Sequence, residues 1–218
     1  MSKPKQPTEK EAKDFGKYLI ELSGMVSRLD GDVTFCDKHM HENEAVWRRL
    51  YVRTAFACIE AIAFFLKQHA LNRKLLEVHD SFRKGGKLSL PLCDVALLLE
   101  ETYNLDDKGE PKIERAKLRT APNLLFALSS FAQCTGSKHV VTRDTGYGVL
   151  AQAARIRDGL THPKDLGVLN VTDEQLTTVR NAFHWVIDEC RRIILKTPGV
   201  TISEFRRSFV KPTTSEKK

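Results

Sequence analysis

The stretch Glu42–Ala70, ENEAVWRRLYVRTAFACIEAIAFFLKQHA, decides the fold class. Trp47, Tyr51, Ala55, Cys58, Ile62 and Phe65 recur at intervals of three and four, which lines them along one broad face of a helix. No Gly or Pro interrupts the pattern. Its most apolar part, Ala55–Leu66, contains Glu60 and is too short to span a bilayer. A helix this long with so wide an apolar face is a core element that other helices must cover.

Working outward, the same periodicity returns on both sides. Phe15, Leu19, Leu22, Met25 and Val26 predict a helix over about 10–28, ended by Asp30, Gly31 and Asp32. Downstream, Arg83–Lys87 with its paired glycines reads as a loop, followed by a helix over about 91–103. Asp107, Gly109 and Pro111 mark a turn or small hairpin near 104–113. Residues 114–134 read as helical with a break near Pro122. A fifth helix covers 144–161, opened by Asp144 or Thr145. Thr172 with Gln175 three residues on forms a capping box for a last helix, which runs to about Leu195 and stops at Pro198 and Gly199. Strand signals are otherwise nearly absent. The expected fold class is all-α: an up-and-down bundle of five to six helices with a small hairpin near 104–113.

The chain has 218 residues, a size suited to one domain with a sizeable core. Hydrophobic residues make up 41% and charged residues 29%, which excludes a disordered or collagen-like chain. The expected organisation is one helical domain over 13–205 between flexible basic tails, 1–12 and 206–218. Met1–Lys13 is polar, so neither a secretory signal nor a membrane association is expected, and the compartment read from it is cytoplasmic. Five cysteines without a CxxC pair read as reduced thiols.

Several chemistries lack their residues. Gly85-Gly86-Lys87 continues into Leu88 without the spacing of a P-loop, and no GxSxG, HExxH or EF-hand loop occurs. Cys36, Asp37, His39 and His41 are metal-type ligands but lack a second pair at zinc-finger spacing. No metal or cofactor is expected, and these residues read as a polar loop between helices. His184 and Trp185 read as packing residues. His139 and Arg143 precede the fifth helix and are weaker candidates for its cleft.

The segment that carries chemistry is Ala154–Pro163, ARIRDGLTHP. Pro163 disfavours helical geometry at His162, so the helix ends there. With the helix ended, the imidazole can fold back over the terminus beside Arg157. A permanent cation that binds phosphate bidentately then stands near a group that titrates close to neutrality. Those are two parts needed to cleave RNA without a metal, since the RNA 2′-OH supplies the nucleophile. Arg155–His162 and Arg73–His79 share the permitted spacing range. Arg73, however, is followed by Lys74, and His79 leads into the loop.

Arg157-Asp158-Gly159-Leu160-Thr161-His162 resembles the signature of the HEPN superfamily: Arg, a polar residue, a short spacer, then His. The resemblance implies a small all-α bundle and a metal-independent endoribonuclease. Two motifs would face each other across a homodimer to form one composite site. The setting implied is toxin–antitoxin or phage defence, with RNA as substrate and an antitoxin or defence protein as partner. Catalytic roles pass to Arg157, His162 and Asp158. Arg155 and Lys164 would contact RNA. In a toxin subset a Tyr follows the His by two residues and is modified by a partner nucleotidyltransferase. Here that position is Lys164, so the resemblance does not extend to that modification. The alternative is a non-catalytic module of the same fold that binds RNA or a protein.

Glu60 sits among apolar neighbours, where a lone carboxylate is costly to bury. Glu60 orients Arg157 or His162; otherwise it links to Arg53, seven residues earlier on the same helical face, or is a partly exposed interface residue. The formal charge of +7 suggests a polyanion partner. Residues 1–13 carry a net +2 and residues 206–218 a net +4, which leaves +1 for the body between them. The expectation of RNA binding therefore rests on the residues around His162.

Overall fold

The computed structural model describes residues 9–85, 92–198 and 200. The expected tails lie outside that range for all but residues 9–12. Six helices and one hairpin follow in the order α1 (Glu9–Lys38), α2 (Glu44–Arg83), α3 (Leu92–Leu99), β1 (Glu101–Leu105), β2 (Pro111–Arg115), α4 (Thr120–Cys134), α5 (Thr145–Thr161) and α6 (Asp173–Leu195). The all-α bundle is the observed class. Among the described residues no helix is long and apolar enough to cross a membrane.

The helix α2 is 40 residues long, about 60 Å at helical rise, and touches every other helix. Asn43 caps it by accepting from Val46 N. At the far end, Lys84 is followed by Gly85 at φ +71, a left-handed position that glycine occupies without strain. Val52, Ala55, Cys58, Ile59, Ile62 and Leu66 are fully buried on α2. They pack with Leu124, Leu128 and Phe131 of α4 and Val179, Val186 and Ile193 of α6 in one core.

Four boundaries differ from expectation, each for a physical reason. The helix α1 does not stop at Asp30-Gly31-Asp32. Val33 and Cys36 are buried in register with Leu19 and Leu22, so packing outweighs the roughly 1 kcal/mol cost of a helical glycine. The helix α2 continues thirteen residues past Ala70, to Arg83. α3 ends at Leu99, because Glu100 turns the chain at φ +57 and residues 101–105 pair instead with 111–115. The hairpin also absorbs the start assigned to the next helix, which begins only at Thr120. Pro122 does not break α4. It lies in the first turn, where its missing N–H would have no helical partner anyway.

Other signals match the observed geometry. Asp144 caps α5 by accepting from Tyr147 N at 3.1 Å. Thr172 and Gln175 form the reciprocal capping box of α6. The two helices close-pack at Gly146, where a Cβ would fall 2.0 Å from Trp185 Cδ1.

Candidate functional site

The motif helix α5 ends at Thr161, and His162 is its C-cap, with φ −127 and ψ 65. The His162 N–H still donates to Asp158 O at 2.9 Å, the last helical bond. Pro163 disfavours helical geometry at His162, and the helix ends there. The His162 side chain is exposed, and no hydrogen bond or ion pair joins it to Arg157 among the described residues. The imidazole therefore does not fold back onto the guanidinium. It stands in solvent at the helix end.

Arg157 is half-buried and held from three elements. Its Nη2 donates to Glu60 Oε1 on α2 at 2.7 Å and to Thr120 Oγ1, the first residue of α4. Its Nε lies 3.4 Å from Asp158 Oδ1 without hydrogen-bond geometry. The guanidinium carbon sits 5.4 Å over the Phe56 ring, a cation–π contact. The cation is thus tied to the bundle through Nη2, with Nη1 left without a partner among the described residues.

The geometry sets Glu60 against Arg157 and leaves it partly exposed, and it does not form the Arg53 link. Glu60 reaches Arg157 and is itself half-exposed, so its carboxylate is not an isolated buried charge. Arg53 does not pair with it. Its Nη2 donates to Leu160 O at 3.2 Å, at the end of α5. Arg155 and Lys164 are both exposed. Arg155 precedes Arg157 by two residues, which sets their side chains about 200° apart round the helix. It therefore does not share the face of Arg157. Lys164 lies just past Pro163, two residues after His162.

Residues not singled out from sequence complete the site. Arg48 Nη1 donates to Val171 O at 2.9 Å and Arg49 Nη1 to Leu169 O at 3.2 Å. With Arg53 they make a ladder of three α2 arginines that holds the carbonyls of the segment after α5. That segment contains His162, Lys164 and a short 3₁₀ turn, Gly167–Leu169. Arg48 is fixed in turn by Glu44 and Asp173. The signal was present in the sequence as three arginines within six residues, but only tertiary contact shows what they grip. Thr120 was hidden because the sequence places it inside a helix rather than at its start.

The other candidates disperse. Cys36 is buried beside Thr54, Asp37 pairs with Arg180, and His39 stacks between Phe35 and Trp47. No group of three or more metal-type ligands converges among the described residues. His139 bonds to buried Glu189 at 2.7 Å, and Arg192 donates to the same carboxylate. This triad joins the α4–α5 loop to α6, and no bond connects it to Arg157. His79 is exposed and lies 3.8 Å from Asp80. Comparison of the chain with known protein families, curated proteins and solved structures found no match.

Proposed function

We propose that the chain is a metal-independent endoribonuclease of HEPN type, acting at the end of α5. One observation carries the reading: Arg157 is fixed through Nη2 by Glu60 and Thr120, with Nη1 unpartnered among the described residues, five residues before a solvent-exposed His162. In the reaction the RNA 2′-oxygen attacks the adjacent phosphorus and the bond to the 5′-oxygen breaks. A base takes the 2′-OH proton and an acid protonates the leaving oxygen. The products are a 2′,3′-cyclic phosphate and a 5′-OH. Arg157 holds the non-bridging oxygens and stabilises their developing charge. Asp158, beside Nε, orients that cation.

A single imidazole cannot serve as base and acid in one turnover without an intervening proton exchange. A homodimer that apposes two α5 ends supplies His162 twice, one for each role. The resemblance places such a nuclease in toxin–antitoxin or phage-defence systems, and RNA contact by Lys164 and Arg155 belongs to the same reading. A nucleotidyltransferase or defence genes beside the coding sequence would support that setting.

The test is RNA cleavage in EDTA by wild-type chain and by His162→Ala. The expected result is cleavage with cyclic-phosphate ends by the wild type and a loss of at least about a hundredfold in the variant. Cleavage retained in His162→Ala overturns the reading. A second reading, a non-catalytic RNA-binding or protein-binding module, is favoured by the lack of any bond between His162 and Arg157. It requires RNA or partner binding without cleavage, unchanged by His162→Ala.

A further inference from the structure

The hairpin carries an apolar face that is exposed. Its cross-strand pairs alternate. Glu101/Arg115, Tyr103/Ile113 and Leu105/Pro111 share one face, and Thr102/Glu114 and Asn104/Lys112 share the other. On the first face Tyr103 is 58% exposed, Leu105 71% and Ile113 60%. A two-stranded ribbon is marginal on its own, so this one must be held from its base.

The base is built for that. Lys67 on α2 is fully buried, and its ammonium donates to Glu100 and to Asn123 of α4. Glu100 also accepts from Asn123 Nδ2 at 3.2 Å and from Arg115 Nη2 at 3.2 Å, and its carbonyl accepts from Ala116 N. The ribbon is anchored at both strands and left bare along its length. Tyr103 is steadied as well, its hydroxyl donating to Glu101 at 2.8 Å.

Charge and position indicate what the bare face meets. The ribbon's first half, 101–110, carries Glu101, Asp106, Asp107 and Glu110 against Lys108, whereas 112–119 carries Lys112, Arg115, Lys117 and Arg119 against Glu114, so the basic excess lies at the hairpin's exit. Lys117 and Arg119 are exposed. The chain then enters Thr120, whose hydroxyl accepts from Arg157. Three residues span at most about 11 Å, so Lys117 cannot lie farther than that along the chain from the Arg157 anchor. Along the chain, an aromatic on an anchored ribbon is followed by two exposed basic side chains and then by Thr120, the partner of Arg157. Single-stranded nucleic acid is bound by stacked bases and neutralised phosphates in this combination. A duplex would offer its phosphates but not its base faces.

We infer that the 101–119 hairpin is a platform for single-stranded RNA, with Tyr103 stacking a base and Lys117 and Arg119 holding phosphates of the strand that runs to Arg157. The inference deepens the nuclease reading by naming its substrate as unpaired RNA, and it rests on that reading only for where the strand leads. The test is fluorescence anisotropy on the full chain with a 2′-O-methyl single-stranded oligonucleotide, which lacks the attacking hydroxyl. Tyr103→Ala is expected to weaken binding at least about fivefold, and Tyr103→Phe, which keeps the ring, to bind near wild type. Lys117→Ala with Arg119→Ala is expected to reduce the slope of log affinity against log salt by about 1.4, at about 0.7 per phosphate contact. These two residues lie outside both strands, so this arm does not depend on hairpin stability.

Affinity unchanged in both Tyr103→Ala and the double variant overturns the inference. So does equal binding of the matching duplex. A concentration-dependent dimer that Tyr103→Ala abolishes overturns it too, by assigning the face to a second copy of the chain. The two proposals fail separately. Absent cleavage with this binding pattern intact removes only the nuclease, and cleavage without dependence on these residues removes only the platform.

Discussion

Glu60 shows how much a single side chain can be asked to do at a helix surface. It is half-exposed, and an exposed ion pair is worth about 0–1 kcal/mol. Its contact with Arg157 can therefore stabilise the bundle only slightly, yet it holds the direction of that guanidinium. Glu60→Ala is expected to lower stability in a urea melt by less than about 1 kcal/mol. Under the proposed nuclease function, RNA cleavage should fall about tenfold or more, because a misdirected cation costs far more in rate than in folding. Glu60→Gln, which keeps an acceptor oxygen, should recover part of the rate. A loss of cleavage that merely tracks the loss of stability would make Glu60 a surface residue and nothing else.

At the scale of elements, α2 carries a polar seam through an apolar helix. Arg53, Glu60, Lys67 and Lys74 recur every seven residues and meet, in order, Leu160 O, Arg157, Glu100 with Asn123, and Asp94. The third rung is the costly one, since Lys67 is fully buried and relies on Glu100 for its counter-charge. Removing one partner of a buried pair typically costs about 3–5 kcal/mol, whereas replacing both by apolar groups is often near neutral. Glu100→Ala should thus destabilise strongly in thermal or urea unfolding. The double variant Lys67→Met with Glu100→Ala should regain most of the loss. No recovery in the double variant would show that the backbone turn at Glu100, rather than the charge pair, holds the hairpin.

How far these elements were legible follows from the kind of signal each one leaves. Caps are local, so Asp144 and the Thr172–Gln175 box could be read directly. The core face of α2 was legible because its spacing is regular. The seam was not, because a lone Glu60 in an apolar run reveals its cost but not its partner, which lies 97 residues away. The hairpin was seen by its turn and missed along its strands, since Thr102, Tyr103 and Ile113 serve a strand or a helix equally well. The site was read in its motif residues, and its supports, Thr120 and Arg48 with Arg49, needed the fold.

For the whole molecule, pH is the sharpest probe. His69 packs among Phe15, Tyr18 and Phe131, and burial, helped by the nearby Arg73 charge, pushes its pKa down to about 4. A histidine depressed in the folded state binds its proton better when unfolded. Its contribution to stability is complete above the ordinary value near 6.5, and falls away as pH drops from there toward 4. Glu100 is shifted the same way by its bond to Lys67, against an opposing effect of burial. Its contribution holds above the ordinary carboxylate value and is lost at lower pH. Urea midpoints should therefore begin to fall below about pH 6.5 and fall further below about pH 4.5. His69→Phe should flatten the upper step alone. An unchanged upper step would place the sensitivity elsewhere.

The seven-residue seam also decides where this chain can change length. Adding or deleting one residue inside α2 turns everything after it by about 100° round the helix axis. An extra residue before Lys67 would swing both Lys67 and Lys74 away from Glu100 and Asp94 while carrying apolar core positions into water. The hairpin tip, Asp106–Glu110, is closed by its own hydrogen bonds, which Asp106 accepts from Lys108 and Glu110, and could take inserted residues. Relatives of this chain should therefore vary in length at that tip and hold α2 to a fixed count, so the long helix acts as the ruler against which the rest of the molecule is set.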